Sequence, residues 1–375
     1  LIPRRFAILS NNAFSLLNFR GPLLAEIASR GHKVFALAPD ITPAMKSELR
    51  ALGAEPVEAN ISRTGLNPIR DIRDMLRLAR ILSDLRLDAV LSFAIKPVIY
   101  GTFAARMVAV PHRYALIAGL GYAFGVEKGF GLKRRIVHQT AKALYKLALA
   151  QVSSTFMQNP DDVEDFVRLR ILPRGKMVLV DGTGVDLEAW PMLAPRTDRV
   201  TFLLAARLLS EKGVRDYVNA ARLVKAKFPT VHFLLLGSLD TNPDGISRSE
   251  VDRWVGEGLV EWPGHVDVRP WLAQSSVFVL PSYYREGIPR SIQEALASGR
   301  PVITADTPGC RETVLNGING FLIPPRAPED LAAAMQRFID NTDLIVDMGQ
   351  QSRLIAQSRF DVHQINARMI EVMGL

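Results

Sequence analysis

The feature that most restricts the fold is a repeated alternation of short, uninterrupted apolar runs with longer segments of helical periodicity. In the first half the runs fall at 6–9, 34–38, 89–93, 114–118 and 148–152, with helical patterns at 16–30, 44–52, 68–85 and 98–107. A second series lies at 201–205, 232–236, 277–280, 301–304 and 321–323. Between the two, residues 185–199 hold Pro191 and Pro195 with little regular periodicity and read as a linker. Strands that are apolar throughout, alternating with helices, are the pattern of parallel sheets covered on both faces. Two series predict two doubly wound α/β units rather than one large sheet.

In such sheets ligands bind beyond the carboxyl ends of the strands, so the loops after strands carry the chemistry. The richest loop follows 277–280, where residues 280–304 read LPSYYREGIPRSIQEALASGRPVIT. Pro289 suits the first turn of a helix, where its missing N–H costs nothing, and Gly287 lets the backbone approach a ligand closely. Ile292, Ala295, Leu296 and Gly299 share one helix face, which leaves Ser291 and Glu294 on the other. Glu286 and Glu294, near a helix N-terminus that attracts anions, suit a ligand with both hydroxyls and phosphates, such as a nucleotide sugar. For an isolated pair at this spacing the alternative is a helix cap and a solvated charge.

Other strand ends of the second half bear on that choice. After 201–206 comes RLLSEKG, in which Arg207 leaves the strand, Ser210 is placed as an N-cap, and Lys212 falls in the first turn of a helix running to Lys227. A cation there opposes the helix dipole, so its expected partner is an anion. Arg207 and Lys212 together could hold a diphosphate, the first bidentately and the second as a point charge. An Arg207–Glu211 pair is the structural alternative. Further on, Gly264, His265 and Val266 put backbone groups where they could read a base edge.

The net charge of +8 is unevenly spread. No acidic residue lies between Glu127 and Asp161, a span that contains Lys128, Lys133, Arg134, Arg135, Lys142 and Lys146. In the helical pattern at 131–149, Leu132, Ile136, Ala143 and Leu147 form one face and Arg135, His138, Lys142 and Lys146 another. With the apolar, glycine-rich segment 119–132 before it, this reads as a surface for an anionic membrane, with a solvated helix face as the alternative. A second basic row, Arg70, Arg73, Arg77 and Arg80, is set against Ile69, Ile72, Leu76 and Ala79 and reads as solvated. No zinc-finger, RNP-like or GXXG-type module accompanies the charge, which argues against nucleic acid. The lone Cys310 rules out an internal disulfide and fits a reducing cytoplasm. No apolar run is long enough to span a bilayer, and the N-terminus reads as a first strand rather than a leader.

With these residues in view, the chain resembles glycosyltransferase family 4, the retaining enzymes of GT-B architecture. The signature pair is R-x4-K, Arg207 and Lys212, with EGIPRSIQE from Glu286 to Glu294; GVD at 184–186, QNPDD at 158–162 and the terminal RFDVHQINARMIEVM also fit. The resemblance implies two Rossmann-like domains facing a cleft: an acceptor domain over 1–185, a nucleotide-sugar domain over 186–357, and a helix over 358–375 that packs back on the first. The subgroup it resembles adds N-acetylgalactosamine-like sugars to lipid-linked oligosaccharides or capsule precursors. It implies a UDP-sugar co-substrate, a polyprenyl diphosphate-linked saccharide acceptor, and a cytoplasmic enzyme held on the inner face of the plasma membrane. Glu294 would accept bonds from the ribose hydroxyls, Arg207 and Lys212 would neutralise the departing diphosphate, and Glu286 would contact the donor sugar. The backbone of Gly287, Ile288 and Pro289 would help, Ser210 would lie at the same site, and Gly264, His265 and Val266 would border the uracil. No D-x-D motif occurs, so no metal or other cofactor is expected.

The first half departs from the common family pattern. The loop after the first strand reads SNNAFSLLNFRG, without the usual paired glycines, so any phosphate contact falls to Asn12 and its neighbours. No histidine follows the strand at 114–118, which runs into Gly119, Leu120, Gly121 and Tyr122; Lys96, leaving the strand at 89–93, is the better-placed contact for acceptor or phosphate. Competing readings are a nucleotide-sugar 2-epimerase of the same architecture and a non-catalytic sugar-nucleotide-binding regulator. A dinucleotide-dependent dehydrogenase is disfavoured because no G-x-G-x-x-G follows the first strand.

Overall fold

A computed structural model describes residues 2–60, 68–119, 132–240, 242 and 244–375, with positions 68, 132–138 and 141 described by backbone alone. The chain forms two units, Leu1–Thr183 with His363–Leu375, and Gly184–Val362.

Unit 1 runs β1 (Arg5–Leu9), α1 (Ala13–Ser29), β2 (Lys33–Ala38), α2 (Pro43–Ala51), β3 (Ala54–Glu58), α3 (Pro68–Leu85) and β4 (Ala89–Phe93). A π-turn over Pro97–Gly101 leads to α4 (Thr102–Met107), then β5 (His112–Ile117), α5 (Leu132–Leu149), β6 (Ser154–Met157), α6 (Pro160–Arg168) and β7 (Met177–Leu179). Among the described residues its sheet is seven-stranded and parallel, in the order β3-β2-β1-β4-β5-β6-β7. The apolar runs are continuous because both faces are covered: Phe6 and Ile8 enter one core, Ala7 and Leu9 the other. The terminal helix α13 (Val362–Met373) adds Ile365, Met369, Ile370 and Met373 to the first of these cores. Tyr114 fixes it by donating its hydroxyl to the Met373 carbonyl at 3.1 Å, and Glu26 bonds Asn366 at 2.9 Å.

Unit 2 holds β8 (Thr201–Ala205), α7 (Val214–Lys227), β9 (His232–Leu236), α8 (Arg248–Gly256), β10 (Glu261–Gly264), α9 (Arg269–Ala273) and β11 (Val277–Leu280). These are followed by α10 (Arg290–Ala297), β12 (Val302–Ala305), β13 (Gly320–Ile323), α11 (Pro328–Asp340) and α12 (Asp343–Arg359). Its parallel sheet, six-stranded among the described residues, has the order β10-β9-β8-β11-β12-β13. Residues 185–199 form no regular element, yet they are pinned to this unit. The fully buried Arg300 donates to the carbonyls of Leu193 and Leu272 at 2.7 and 2.9 Å, and Arg353 donates to Trp190 and Ala297 at 2.8 and 2.7 Å. Burial pulls the Arg300 guanidinium down to about 10.

Both sheets reverse strand order beside their first strand, between β1 and β4 in unit 1 and between β8 and β11 in unit 2. At such a switch point the two adjacent loops diverge and leave a crevice at the carboxyl edge.

Several expectations are corrected. Residues 148–152 are not a strand: α5 runs to Leu149, and the strand is β6. The apolar face expected there fails at its C-terminal end, where Tyr145, Ala148 and Leu149 are buried while Ala143 and Leu147 are exposed. Strands β3 and β10 escape the apolar pattern because charged residues and proline interrupt it, and β7, Met177–Leu179, because it is only three residues long. The stripe of Ile69, Ile72 and Leu76 is 73, 52 and 44% exposed, and the buried face of α3 is Asp71, Asp74, Leu78, Ala79 and Leu82. Gly121, Tyr122 and the rest of 120–131 lie outside the described residues, as do the side chains of Lys133, Arg134 and Arg135.

A backbone position tests the carboxyl edge of unit 2. Gly237 has φ 141°, and a Cβ there would lie 1.8 Å from the Ala206 carbonyl oxygen. Gly237→Ala should destabilise unit 2 by about 3 kcal/mol in urea unfolding. Gly256→Ala, with open space at its Cβ, should leave the midpoint unchanged or slightly raised.

Candidate functional site in unit 2

The turn after β8 and the loop after β11 are built against each other. Ser210–Lys212 form a single 3-10 turn, and Gly213, at φ 74°, then starts α7 in the left-handed conformation. A Cβ at Gly213 would come 2.2 Å from the Pro281 carbonyl oxygen, so the close approach of the two loops requires glycine. Here one expectation from the sequence is corrected. Ser210 is not the cap of a helix running through Lys212, because Gly213 interrupts it; its hydroxyl donates to the Asp244 carbonyl at 2.8 Å. Arg207 pairs with Asp240, at 3.0 Å, and its side chain is 51% exposed.

The loop after β11 closes over this turn. The backbone N–H groups of Tyr283 and Tyr284 both donate to the Glu211 carbonyl, at 2.9 and 3.0 Å. That contact brings Lys212 and Glu286 into an ion pair whose side chains are only 13 and 12% exposed. Ser282 donates to the same Glu286 oxygen at 3.1 Å, and the Lys212 ammonium lies 5.3 Å from the centre of the Tyr284 ring. Burial, then the neighbouring Glu286 charge, push the Tyr284 phenol up. Cys310 belongs to this floor; burial raises its thiol to about 12, which makes it inert.

Pro289 stands immediately before α10, which presents Glu294 on the helix's half-shielded side. Arg290 donates to Glu294 at 2.9 Å and also reaches the Gly184 carbonyl. Burial lifts the Glu294 carboxyl above its ordinary value, although Arg290 opposes the shift. Gln293, fully buried, bridges the Gly184 N–H at 2.9 Å and the Ile288 carbonyl at 3.0 Å. Ile288 is buried, and the carbonyl of Gly287 abuts Gly309, where a Cβ would approach to 1.7 Å. At the edge strand β10, Gly264 has φ 86° with open space at its Cβ; His265 and Val266 are exposed.

Arg207, Lys212 and Glu286 thus gather around Tyr284 at the β8/β11 switch point, with Glu294 farther along α10 near Asp267 and Arg269, and Gly264, His265 and Val266 two strands from β8. A half-exposed guanidinium, a shielded ammonium and two shielded carboxylates can meet a ligand carrying a diphosphate between two hydroxyl-bearing groups. Sequence reasoning missed Ser282, Gln293 and Asp240. Ser282 was legible only as a strand-end residue, and nothing in the sequence signals that Asp240 faces Arg207.

In unit 1 the candidates are differently engaged. The Asn12 side chain is the N-cap of α1 and accepts from the Ser15 N–H at 2.7 Å. Lys96 is held in a shielded ion pair with Asp71 at 2.8 Å, to which Tyr100 also donates at 3.1 Å. Burial first, then Asp71, push the Tyr100 phenol up to about 12. Gly119, at φ 89°, lies two residues beyond the end of β5, at the same sheet edge. No group of three or more metal-type side chains occurs among the described residues.

Comparison with known proteins bears on the family and the fold. Residues 199–341 match the family described as glycosyl transferases group 1, and residues 21–182 match the glycosyl transferase 4-like domain. Over 362 residues, 93% of both chains, the sequence is 29% identical to the N,N'-diacetylbacillosaminyl-diphospho-undecaprenol alpha-1,3-N-acetylgalactosaminyltransferase of Campylobacter jejuni. It is 24% identical to the UDP-Gal:alpha-D-GlcNAc-diphosphoundecaprenol alpha-1,3-galactosyltransferase of Escherichia coli, over 80% of this chain and 78% of that one. A glycosyltransferase structure from Rickettsia africae shares the fold with TM-score 0.80 at 17% identity, over 100% of this chain and 98% of that one.

The raised Glu294 carboxyl gives a signed test. A folded pKa above the unfolded one stabilises the protein fully below the unfolded value, near 4.5, and that contribution is lost as pH rises through the folded value. The Tm difference between wild type and Glu294→Gln should therefore move in favour of the glutamine variant from pH 4 to pH 8. A pH-independent difference would remove the assigned burial effect.

Proposed function

The chain belongs to glycosyltransferase family 4, of GT-B architecture, and on that premise we propose a retaining enzyme that moves an N-acetylated hexose from a UDP-sugar to a lipid-linked saccharide acceptor. The observation that carries this reading is the Lys212–Glu286 pair at the switch point, flanked by Arg207 and Glu294. Glu294 accepts hydrogen bonds from the ribose hydroxyls, while Gly264, His265 and Val266 border the base. Glu286, with the backbone of Gly287, Ile288 and Pro289, orients the hexose.

As the anomeric carbon–oxygen bond breaks, its electron pair passes to the leaving phosphate. Lys212 and Arg207 stabilise that developing charge, which shielding from water strengthens. Arg207 exchanges Asp240 for phosphate on binding. The acceptor hydroxyl attacks from the face the phosphate leaves, and the phosphate takes its proton, so the configuration is kept without a covalent sugar on Glu286. No resident metal or other cofactor is part of this scheme.

The acceptor class is supported by the names of the Campylobacter and Escherichia relatives, both of which include an undecaprenol diphosphate. An acceptor of that kind is presented at a bilayer, which favours peripheral attachment to an anionic membrane face. No helix among the described residues is long and apolar enough to cross a membrane.

UDP release from a panel of UDP-sugars, with a membrane lipid extract as acceptor and the product mass as second readout, tests the reading. An N-acetylhexosamine increment is the expected result. Turnover of the nucleotide sugar without acceptor would favour the epimerase instead. Glu294→Ala and Lys212→Ala should each reduce transfer by about a hundredfold or more at modest donor concentration, with circular dichroism confirming the fold. Wild-type rates in both variants would remove the donor-site assignment.

A further inference from the structure

The N-terminal half of helix α3 is inverted relative to an ordinary surface helix, whereas Leu78, Ala79 and Leu82 in its second half enter the core. Its acidic side chains Asp71 and Asp74 are 5 and 8% exposed and point into unit 1, while Ile69, Ile72 and Leu76 are 73, 52 and 44% exposed. One position after each of these comes an arginine: Arg70, Arg73 and Arg77, and Arg80 continues the row. All four arginines are exposed. Each step of one residue turns the helix by about 100°, so an apolar stripe and a cationic stripe run side by side on the outward face. Arg70 and Arg77 each lie 3.8 Å from Asp74 and keep 69 and 61% of their side chains exposed.

The orientation of this helix is fixed by buried charge. Asp71, in its first turn, holds Lys96 at 2.8 Å and Tyr100 at 3.1 Å, both from the segment that follows β4. The N-terminal end of α3 is thereby tied to the carboxyl edge of the sheet, beside the β1/β4 switch point. Lys146 of α5 lies at the opposite edge, because that helix ends where β6 begins. It lines a groove there with Arg170 and Lys176.

We propose that the outward face of α3 is the docking surface for an anionic lipid bilayer. The inference rests on the membrane association proposed above and assigns it to a particular element. The occupant follows from the chemistry of the face. Exposed isoleucines and a leucine insert at the headgroup boundary, and the adjacent guanidiniums bind lipid phosphates bidentately. A nucleic acid has no use for the apolar stripe, and an aqueous face has no use for it either.

The test is sedimentation of the full chain with phosphatidylcholine vesicles containing or lacking phosphatidylglycerol. Three variants are compared with wild type: R73Q/R77Q/R80Q, I69S/I72S/L76S and the α5 control K142Q/K146Q. Wild type should bind the anionic vesicles, and the two α3 variants should bind at least about a hundredfold more weakly. The control should stay within a few fold of wild type, and the two α3 variants should keep the wild-type melting temperature because the altered residues are exposed. UDP release with a short-chain, detergent-dispersed acceptor should be unchanged in the α3 variants. If wild type binds anionic vesicles and the α3 variants bind equally well, the assignment to α3 is overturned. If wild type binds none, the membrane reading itself fails. Dimerisation lost in I69S/I72S/L76S, with vesicle binding intact, would make the face an interface between copies and overturn the lipid proposal.

Discussion

The ion pair between Lys212 and Glu286 is the interaction on which the site in unit 2 depends. Both side chains are almost withdrawn from water, and removing one member of such a pair leaves the other as an uncompensated charge. The pair joins the ends of β8 and β11, so it is also a clamp on the switch point. Its geometry follows from backbone chemistry one layer down. Gly213 allows the turn to touch the Pro281 carbonyl, and the Tyr283 and Tyr284 N–H groups converge on Glu211. A ligand diphosphate entering here meets charge that is already oriented, which limits the reorganisation that catalysis requires.

The two units use one topology for different surroundings. In unit 2 the cation at the switch point is held by a carboxylate on a neighbouring loop, and Arg207 remains half exposed. In unit 1 the cation, Lys96, follows β4, the counterpart of β11 rather than of β8, and its carboxylate partner, Asp71, comes from the inner face of α3. That choice turns the acidic side chains of α3 inward and leaves its isoleucines and arginines facing out. A single buried pair therefore links the chemistry at a sheet edge to the character of an exposed surface.

Much of this was legible in the sequence, for a physical reason. Strands buried on both faces must be apolar throughout, so β1, β2, β4, β8, β9, β11 and β12 announced themselves, and with them the loops that bear Arg207, Lys212 and Glu286. Edge strands escape that requirement: β3 carries two glutamates and a proline and β10 a proline, so neither stood out. The face of α3 was misjudged because periodicity tells which residues share a stripe but not which stripe turns inward. Asp71 and Asp74 occupy the core side through their charged partners, an arrangement that no hydropathy pattern encodes. The break at Gly213 was missed because a lone glycine reads as tolerable within a helix until its backbone angle is known.

The central claim is that a nucleoside diphosphate binds at the β8/β11 switch point of unit 2. Amide hydrogen exchange with and without UDP tests it most directly. The account predicts slowed exchange confined to residues 207–213, 264–266 and 282–294, with the strand-end loops of unit 1 unaffected. Protection confined to the loops after β1 and β4, or none at saturating UDP, would contradict it.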